Sequence, residues 1–373
     1  MSGKYLPYGH QMVDEADIRA VEEVLRSDWL TTGPMIECFE EAVARRVGAA
    51  YGVAVSSGTA ALHSAMFALG VGPGDEVIVP PMIFAATANC VLYQGGRPVF
   101  ADIDAKTLLM DPNRVEDAVT SRTRAVIAVD YAGQPCEWDA LRTIADRYGL
   151  ALVADSCHAL GAALNGRKVG TLADITCFSF HPVKHITTGE GGMAVTSDLA
   201  LADRMRTFRS HGISSSASQR EKAGQWFYEM TDLGFNYRMT DFQCALGLSQ
   251  LDKLEGGLAR RRELASIYGA FFADAGNRAE GMPLVIRPGV EHAWHLYVIR
   301  HPRRDAMFRT LRARNIGVNV HYVPVHLHPY YREKFGTGYG LCPQAEAAYA
   351  EILTLPLWPG MMDADVERVV SLL

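Results

Sequence analysis

From about residue 50 the chain alternates short apolar runs, rich in Val and Ile, with longer stretches of helical period. "YGVAV" leads into "TAALHSAMFALG" and "DEVIVP" into "FAATANCVLYQG"; "RPVFAD", "RAVIAVDY", "DALRTIADRYG", "LALVADS", "DITCFSFH" and "GMAVTSD" follow. Short apolar runs between helices predict βαβ units and a mainly parallel sheet covered on both faces. Polar or Gly-containing residues follow several of these strands, and ligands of open α/β sheets sit beyond the carboxyl ends of strands. From "MTDFQCALGLSQLDKLEGGLARRRELASIYGAFF" onward the character changes. That segment predicts a long helix or helix pair, and "HAWHLYVIRH" and "IGVNVHYVPV" predict strands of a smaller α+β unit. The expected division is a large domain over 1–250, including an N-terminal arm, and a small one over 251–373. "SSSASQREKAG" at 214–224 predicts an exposed loop.

Length and composition narrow the class. The 373 residues suggest about two domains. A hydrophobic share of 49% with 21% charged residues is that of a globular protein, neither disordered nor collagen-like. A net charge of -6 gives a nucleic-acid partner no electrostatic footprint. "MSGKYLPYGHQMVDEADIRAVEE" has no apolar stretch after a basic head, which reads against a secretory signal, and no window approaches the ~18 apolar residues of a membrane span. Seven scattered cysteines show neither CxxC pairing nor a disulfide rhythm. A reducing cytoplasm is expected, with no zinc or other metal.

Four separated pieces of the larger part would suit one small molecule. "VAVSSGTAALHSA" runs from a strand through Ser56, Ser57, Gly58 and Thr59 into a helix, so free amides and the positive helix end offer a phosphate seat; the same residues also make an ordinary N-cap. "LALVADSCHALGA" ends a buried strand with Asp155, a carboxylate that needs a partner; a protonated pyridine nitrogen would serve, and so would a cap on a following helix. "DITCFSFHPVK" carries Ser179 and Lys184 out of another strand. "PPMIFAATANC" places Phe84 after a strand, where it could cover a flat ring or pack in the core. A phosphate, a ring nitrogen needing an acid and an aldehyde needing an amine are the three handles of pyridoxal phosphate.

"SSGTAAL", "DSCHALGA", "FSFHPVKHITTGEGG" and "GFNYRMTDFQCALGLSQL" together resemble the nucleotide-sugar aminotransferases, DegT type, of the fold type I pyridoxal phosphate enzymes, in order along nearly the whole chain. Within the family the likeness is greatest to the transaminases of pseudaminic acid biosynthesis, which make UDP-4-amino-4,6-dideoxy-N-acetyl-β-L-altrosamine. "SDWLTTGP", "PPMIFAATANCVLYQGG", "VDYAGQPCEW", "FRSHGI" and "HYVPVHLHPYY" carry that part of it.

The resemblance implies a seven-stranded, mostly parallel large domain and a smaller C-terminal domain. It implies Lys184 as the Schiff-base lysine and proton shuttle, Asp155 as partner of the pyridine nitrogen, and His158 near the ring hydroxyl. Gly58, Thr59 and Ser179 would hold the phosphate, Ala60 belongs to the same cofactor-binding segment, and Phe84 would stack on the ring. Asn236 would reach the cofactor of a neighbouring subunit, so that a homodimer shares its active sites. Trp29, Thr31, Arg238, His321 and Tyr322 resemble positions lining the sugar and nucleotide; His321 and Tyr322 could equally pack in a strand. Some relatives carry histidine in place of the lysine and are sugar dehydratases; Lys184 favours transamination. The activity implied is transfer of the amino group of L-glutamate to C4 of a UDP-linked 4-keto-6-deoxy hexose. TDP- or GDP-linked ketosugars and a non-catalytic relative of the same fold are the alternatives. A dinucleotide oxidoreductase is disfavoured because no GxGxxG follows the first strand.

Overall fold

The computed structural model describes residues 4–215, 220, 224–275 and 281–373. Most of the expected exposed loop at 214–224 therefore lies outside the described residues. The Val- and Ile-rich runs become β1 (Tyr51–Val55), β2 (Glu76–Val79), β3 (Arg97–Phe100), β4 (Thr123–Val129) and β5 (Ala151–Asp155). After a short hairpin of β6 (Ala163–Leu164) and β7 (Arg167–Lys168) come β8 (Ile175–Ser179) and β9 (Gly192–Thr196). Seven of these form one sheet in the order β1-β9-β8-β5-β4-β2-β3. β9 runs antiparallel to both its neighbours, and the pairs from β8 to β3 are parallel.

Strand periodicity explains why the runs are apolar throughout. Val53, Val55, Val77, Val79, Ile127 and Val153 join one buried cluster, with Leu62, Met66, Val91 and Met205 from covering helices. Ala54, Ile78, Val126, Ala128, Leu152 and Ala154 join a second, with Phe39, Val43, Trp138 and Leu141. Successive side chains thus enter opposite layers, and both layers are dry.

The covering helices include α1 (Glu15–Leu25), α2 (Pro34–Val47) and α3 (Gly58–Ala68). A helix pair, Asp241–Asp252 and Leu254–Ala275, leads out of the large sheet as expected. Buried Asp241 fixes the start of α2 by accepting from the amides of Gly33 (2.8 Å) and Met35 (3.0 Å). Asp17 of α1 accepts from Ser249 and Gln250, both at 2.7 Å, and pairs with Lys253.

Further on, β10 (Met282–Pro283), β12 (Tyr297–Arg300) and β13 (Ile352–Leu355) form a three-stranded antiparallel sheet, while β11 (Val290–Glu291) pairs with the β6–β7 hairpin. A third cluster joins Leu264, Tyr268, Ile299, Leu311, Leu353, Leu355 and Val366. Leu6 is buried in that cluster and bridges Ile316, so the N-terminal arm, expected with the first 250 residues, lies against the C-terminal part.

"IGVNVHYVPV" alternates like a strand but forms only isolated bridges, Leu6 to Ile316 and Asn319 to Thr354. Side-chain bonds replace a ladder beyond Asn319: the His321 ring bonds Thr354 Oγ1 at 2.8 Å, and the Tyr131 hydroxyl donates to the His321 carbonyl. No helix among the described residues is long and apolar enough to cross a membrane.

Gly192 opens β9 where the backbone of Ser57 passes. A Cβ there would lie 2.4 Å from the Ser57 carbonyl oxygen and 2.7 Å from the Gly58 nitrogen. Gly192→Ala is expected to cost about 1–3 kcal/mol by forcing these segments apart, read as a lowered midpoint in urea denaturation.

Candidate active site

The first strand-to-helix turn supplies open donors. Ser57 caps α3, its Oγ accepting from the Ala60 amide at 3.1 Å. The amides of Gly58 and Thr59 have no protein partner among the described residues, and they lie at the positive end of the helix. The N-cap and the open amide seat therefore coexist, and the Ala60 amide is the one already taken. A Cβ on Gly58 would lie 2.9 Å from Ser179 Cβ and 3.0 Å from Cys157 Sγ, which places the ends of β5 and β8 against this seat.

Asp155, 6% exposed, ends β5. It accepts from Thr87 Oγ1 at 2.6 Å and from the Cys157 amide at 3.2 Å. Turns, not a helix, follow over 157–161, so Asp155 caps no helix. No ion pair neutralises it among the described residues. Beside it Asp130, fully buried, accepts from Ser156 Oγ (2.6 Å), Trp138 Nε1 (3.0 Å) and the Cys136 amide (2.8 Å). Burial pushes the Asp130 carboxyl up to about 6, opposed by these bonds.

Lys184 follows β8 in a turn closed by its amide to the His181 carbonyl (2.9 Å). Its Nζ has no hydrogen-bond or ion-pair partner among the described residues. The side chain keeps some access to solvent, yet its amine lies deep enough that burial lowers its pKa, with Cys157 and Asp155 opposing. Lys184 and His185 also line a cavity of about 240 Å³ shared with His10, Gln11, Gln250 and Arg261.

Phe84 is 64% exposed, which removes the core-packing alternative; its ring centroid lies 6.0 Å from that of Tyr322. Tyr322 Oη bonds His158 Nε2 at 3.1 Å. Burial holds the His158 imidazole well below its usual range, reinforced by the nearby Lys184. Phe84, Tyr322, His158, Asp155 and Lys184 therefore belong to one neighbourhood with Gly58, Thr59 and Ser179. The His321 ring is buried and engaged with Thr354 and Asn319, in a segment that forms no strand.

Trp29 and Arg238 line a separate groove of about 1090 Å³ with Tyr51, Arg206 and Arg209, and Lys184 is not part of it. Thr31 bridges Thr240, and Asn236, exposed, bridges Ser210. Thr87, Cys157 and His295 are site neighbours that sequence reasoning missed. Their positions depend on packing between distant segments; only Cys157, two residues after Asp155, carried a local signal. No three His, Cys, Asp or Glu side chains among the described residues converge to hold a metal ion.

The donor set fits pyridoxal phosphate: two open helix-end amides for an anion, a buried unneutralised carboxylate for a protonated ring nitrogen, an exposed aromatic face and an unpartnered amine. Fold and site define a pyridoxal-phosphate-dependent aminotransferase of fold type I. The chain belongs to the DegT/DnrJ/EryC1/StrS aminotransferase family, which it matches over residues 11–373. It is 42% identical to the spore coat polysaccharide biosynthesis protein SpsC of Bacillus subtilis (strain 168), over 98% of this chain and 96% of that one. Among solved structures it resembles the PLP form of Spr1654 from Streptococcus pneumoniae (TM-score 0.91, 32% identity, 98% and 97% of the two chains). It also resembles PseC of Helicobacter pylori, an aminotransferase involved in the biosynthesis of pseudoaminic acid (TM-score 0.91, 32% identity, 99% and 98%).

Burial lowers His292 and His321 to about 3 and His63 to about 4, from an ordinary 6.5. Below 6.5 the unfolded chain binds protons that the native state refuses, so stability is full above that pH and is lost as pH falls toward the folded values. Urea midpoints measured from pH 7 down to 4 are expected to fall, each such histidine contributing about 1.4 kcal/mol per pH unit inside its window.

Proposed function

We propose that the protein transfers the amino group of L-glutamate to C4 of a UDP-linked 4-keto-6-deoxy-N-acetylhexosamine. One observation carries the chemistry: an unpartnered lysine amine whose pKa burial lowers, set beside a buried carboxylate at the ends of β5 and β8. The cofactor, when bound, supplies the electron sink that lets the amino group change carriers.

In this reading Asp155 keeps a proton on the ring nitrogen, and its bond from Thr87 holds the carboxylate in place. The Gly58 and Thr59 amides and the Ser179 hydroxyl bind the phosphate, while Phe84 covers one ring face. His158, oriented by Tyr322, meets the ring hydroxyl. Lys184 would hold the cofactor covalently at rest and, once released, would move the proton between the substrate carbon and C4′ of the cofactor. Its lowered pKa favours the neutral amine that both tasks require.

The acceptor is supported by the likeness to PseC. Trp29, Thr31 and Arg238 contact sugar or nucleotide only if a second subunit completes the site, since they do not share the Lys184 cavity. A homodimer is supported by the apolar stretch that carries Trp226 (85% exposed), Met230 (66%) and Leu233 (79%) shortly before Asn236.

The experiment is a near-ultraviolet and visible spectrum of the loaded enzyme, followed by glutamate and then the UDP-4-ketosugar. A yellow band that bleaches with glutamate and returns with the ketosugar is expected, with ping-pong kinetics. Return with TDP- or GDP-linked ketosugars alone would replace the acceptor, and failure to bleach would remove glutamate as donor. Lys184→Ala is expected to bind the cofactor noncovalently and to lose at least about 10³-fold in turnover; near-normal turnover would sink the assignment.

A further inference from the structure

We propose that Asp130 is a positioning residue for the reaction: it grips the Asp155–Ser156 turn, and its charge, acting through Asp155, helps hold the proton on the cofactor's ring nitrogen. The inference rests on the aminotransferase reading above. Asp130 directly follows β4, is fully buried, and bonds that turn twice. Its amide donates to the Asp155 carbonyl at 3.1 Å, and its Oδ2 accepts from Ser156 Oγ at 2.6 Å. Its Oδ1 accepts from the Cys136 amide at 2.8 Å and from Nε1 of the core residue Trp138 at 3.0 Å. The Ser156 amide is in turn held by the Cys177 carbonyl of β8 at 2.9 Å. A continuous line of bonds therefore runs from the core tryptophan through Asp130 to the backbone that carries the Asp155 carboxylate.

A buried carboxylate with no counter-ion is costly, and no arginine or lysine pairs with Asp130 among the described residues. Holding the turn does not require the charge. An asparagine could accept the Cys136 and Trp138 bonds on its oxygen and donate to Ser156 Oγ, because a hydroxyl both donates and accepts. What asparagine lacks is the second negative charge beside Asp155. Burial first, with Asp155 adding to it, raises the Asp130 carboxyl to about 6, so the group is ionised above that pH. Cys136, kept as a thiol by burial, also faces Asp130, and Arg287 faces Cys136. Cys90, Cys157, Cys177 and Tyr322, all kept neutral by burial, face Asp155 together with Lys184.

The reaction gives this second charge its task. A protonated ring nitrogen is what makes the cofactor an electron sink, and negative charge nearby favours that protonated form. Asp155 supplies the direct partner. Asp130 touches no reacting atom and acts through the carboxylate it backs. Its electrostatic contribution is present above its midpoint of about 6 and fades as pH falls through that value, while the grip on the turn persists.

The test compares wild-type and Asp130→Asn proteins loaded with cofactor that carries ¹⁵N in its ring, and follows the protonation of that nitrogen by NMR as pH is raised. The ring nitrogen is expected to lose its proton about one pH unit lower in the variant, with the glutamate half reaction slowed at alkaline pH and KM unchanged. Equal protonation of the two proteins over the whole range would overturn the role of Asp130 and leave the aminotransferase intact. A wild-type protein that binds no cofactor would overturn both. Should Asp130→Asn fail to fold, the wild-type protein with ¹³C-labelled aspartate carboxyls decides. It is loaded either with the cofactor or with an analogue that has CH in place of the ring nitrogen. Two charges influence each other reciprocally, so Asp130 is expected to titrate lower with the cofactor than with the analogue; equal midpoints exclude the proposal.

Discussion

Asp155 is a carboxylate carried by a buried strand into surroundings where, among the described residues, no arginine or lysine pairs with it. A charge so placed is costly unless hydrogen bonds or a cationic ligand compensate it. Thr87 and the Cys157 amide supply part of that compensation. In the proposed reading the remainder falls to the cofactor bound beside Lys184, which would then also be an electrostatic component of the fold. Asp130 lies beside Asp155 with three donors of its own, and burial, with Asp155 adding to it, raises the Asp130 carboxyl to about 6.

The same constraint explains the shape of the histidine-rich wall. With one lysine already present, further positive charge near it would raise the cost of keeping the amine inside. His158, His185, His295 and His321 are all held neutral by burial, with Lys184 adding to the effect on each. They provide polar atoms without charge, and the amine stays free to change its protonation state.

Much of this was legible in the chain because parallel strands buried on both faces leave apolar runs that end where the site begins. Asp155, Ser179, Lys184 and the Gly58–Thr59 turn each follow such a run, so sequence position alone places them at one edge of one sheet. Thr87 and His295 were not legible: one lies on the helix after Phe84, the other beside Tyr297 of β12, and only packing brings them near Asp155 and Lys184. "IGVNVHYVPV" misled because its alternation serves two neighbours, Thr354 for His321 and His158 for Tyr322, where a ladder was expected. Trp29 and Arg238 matched a motif, yet one chain alone seats them in another groove.

β1 is the first strand of the large sheet in the chain, yet β9, the last of its seven, is its sole neighbour in that sheet. During synthesis the anion seat at Gly58 is made long before the strand that holds it, and the growing chain carries β1 unpaired until Gly192–Thr196 has emerged. Closing so long a loop is slow compared with forming helices. The nascent protein therefore passes through a stage in which one sheet edge is open to wrong partners, and completing that edge is the same event that assembles the anion seat against β8 and β9.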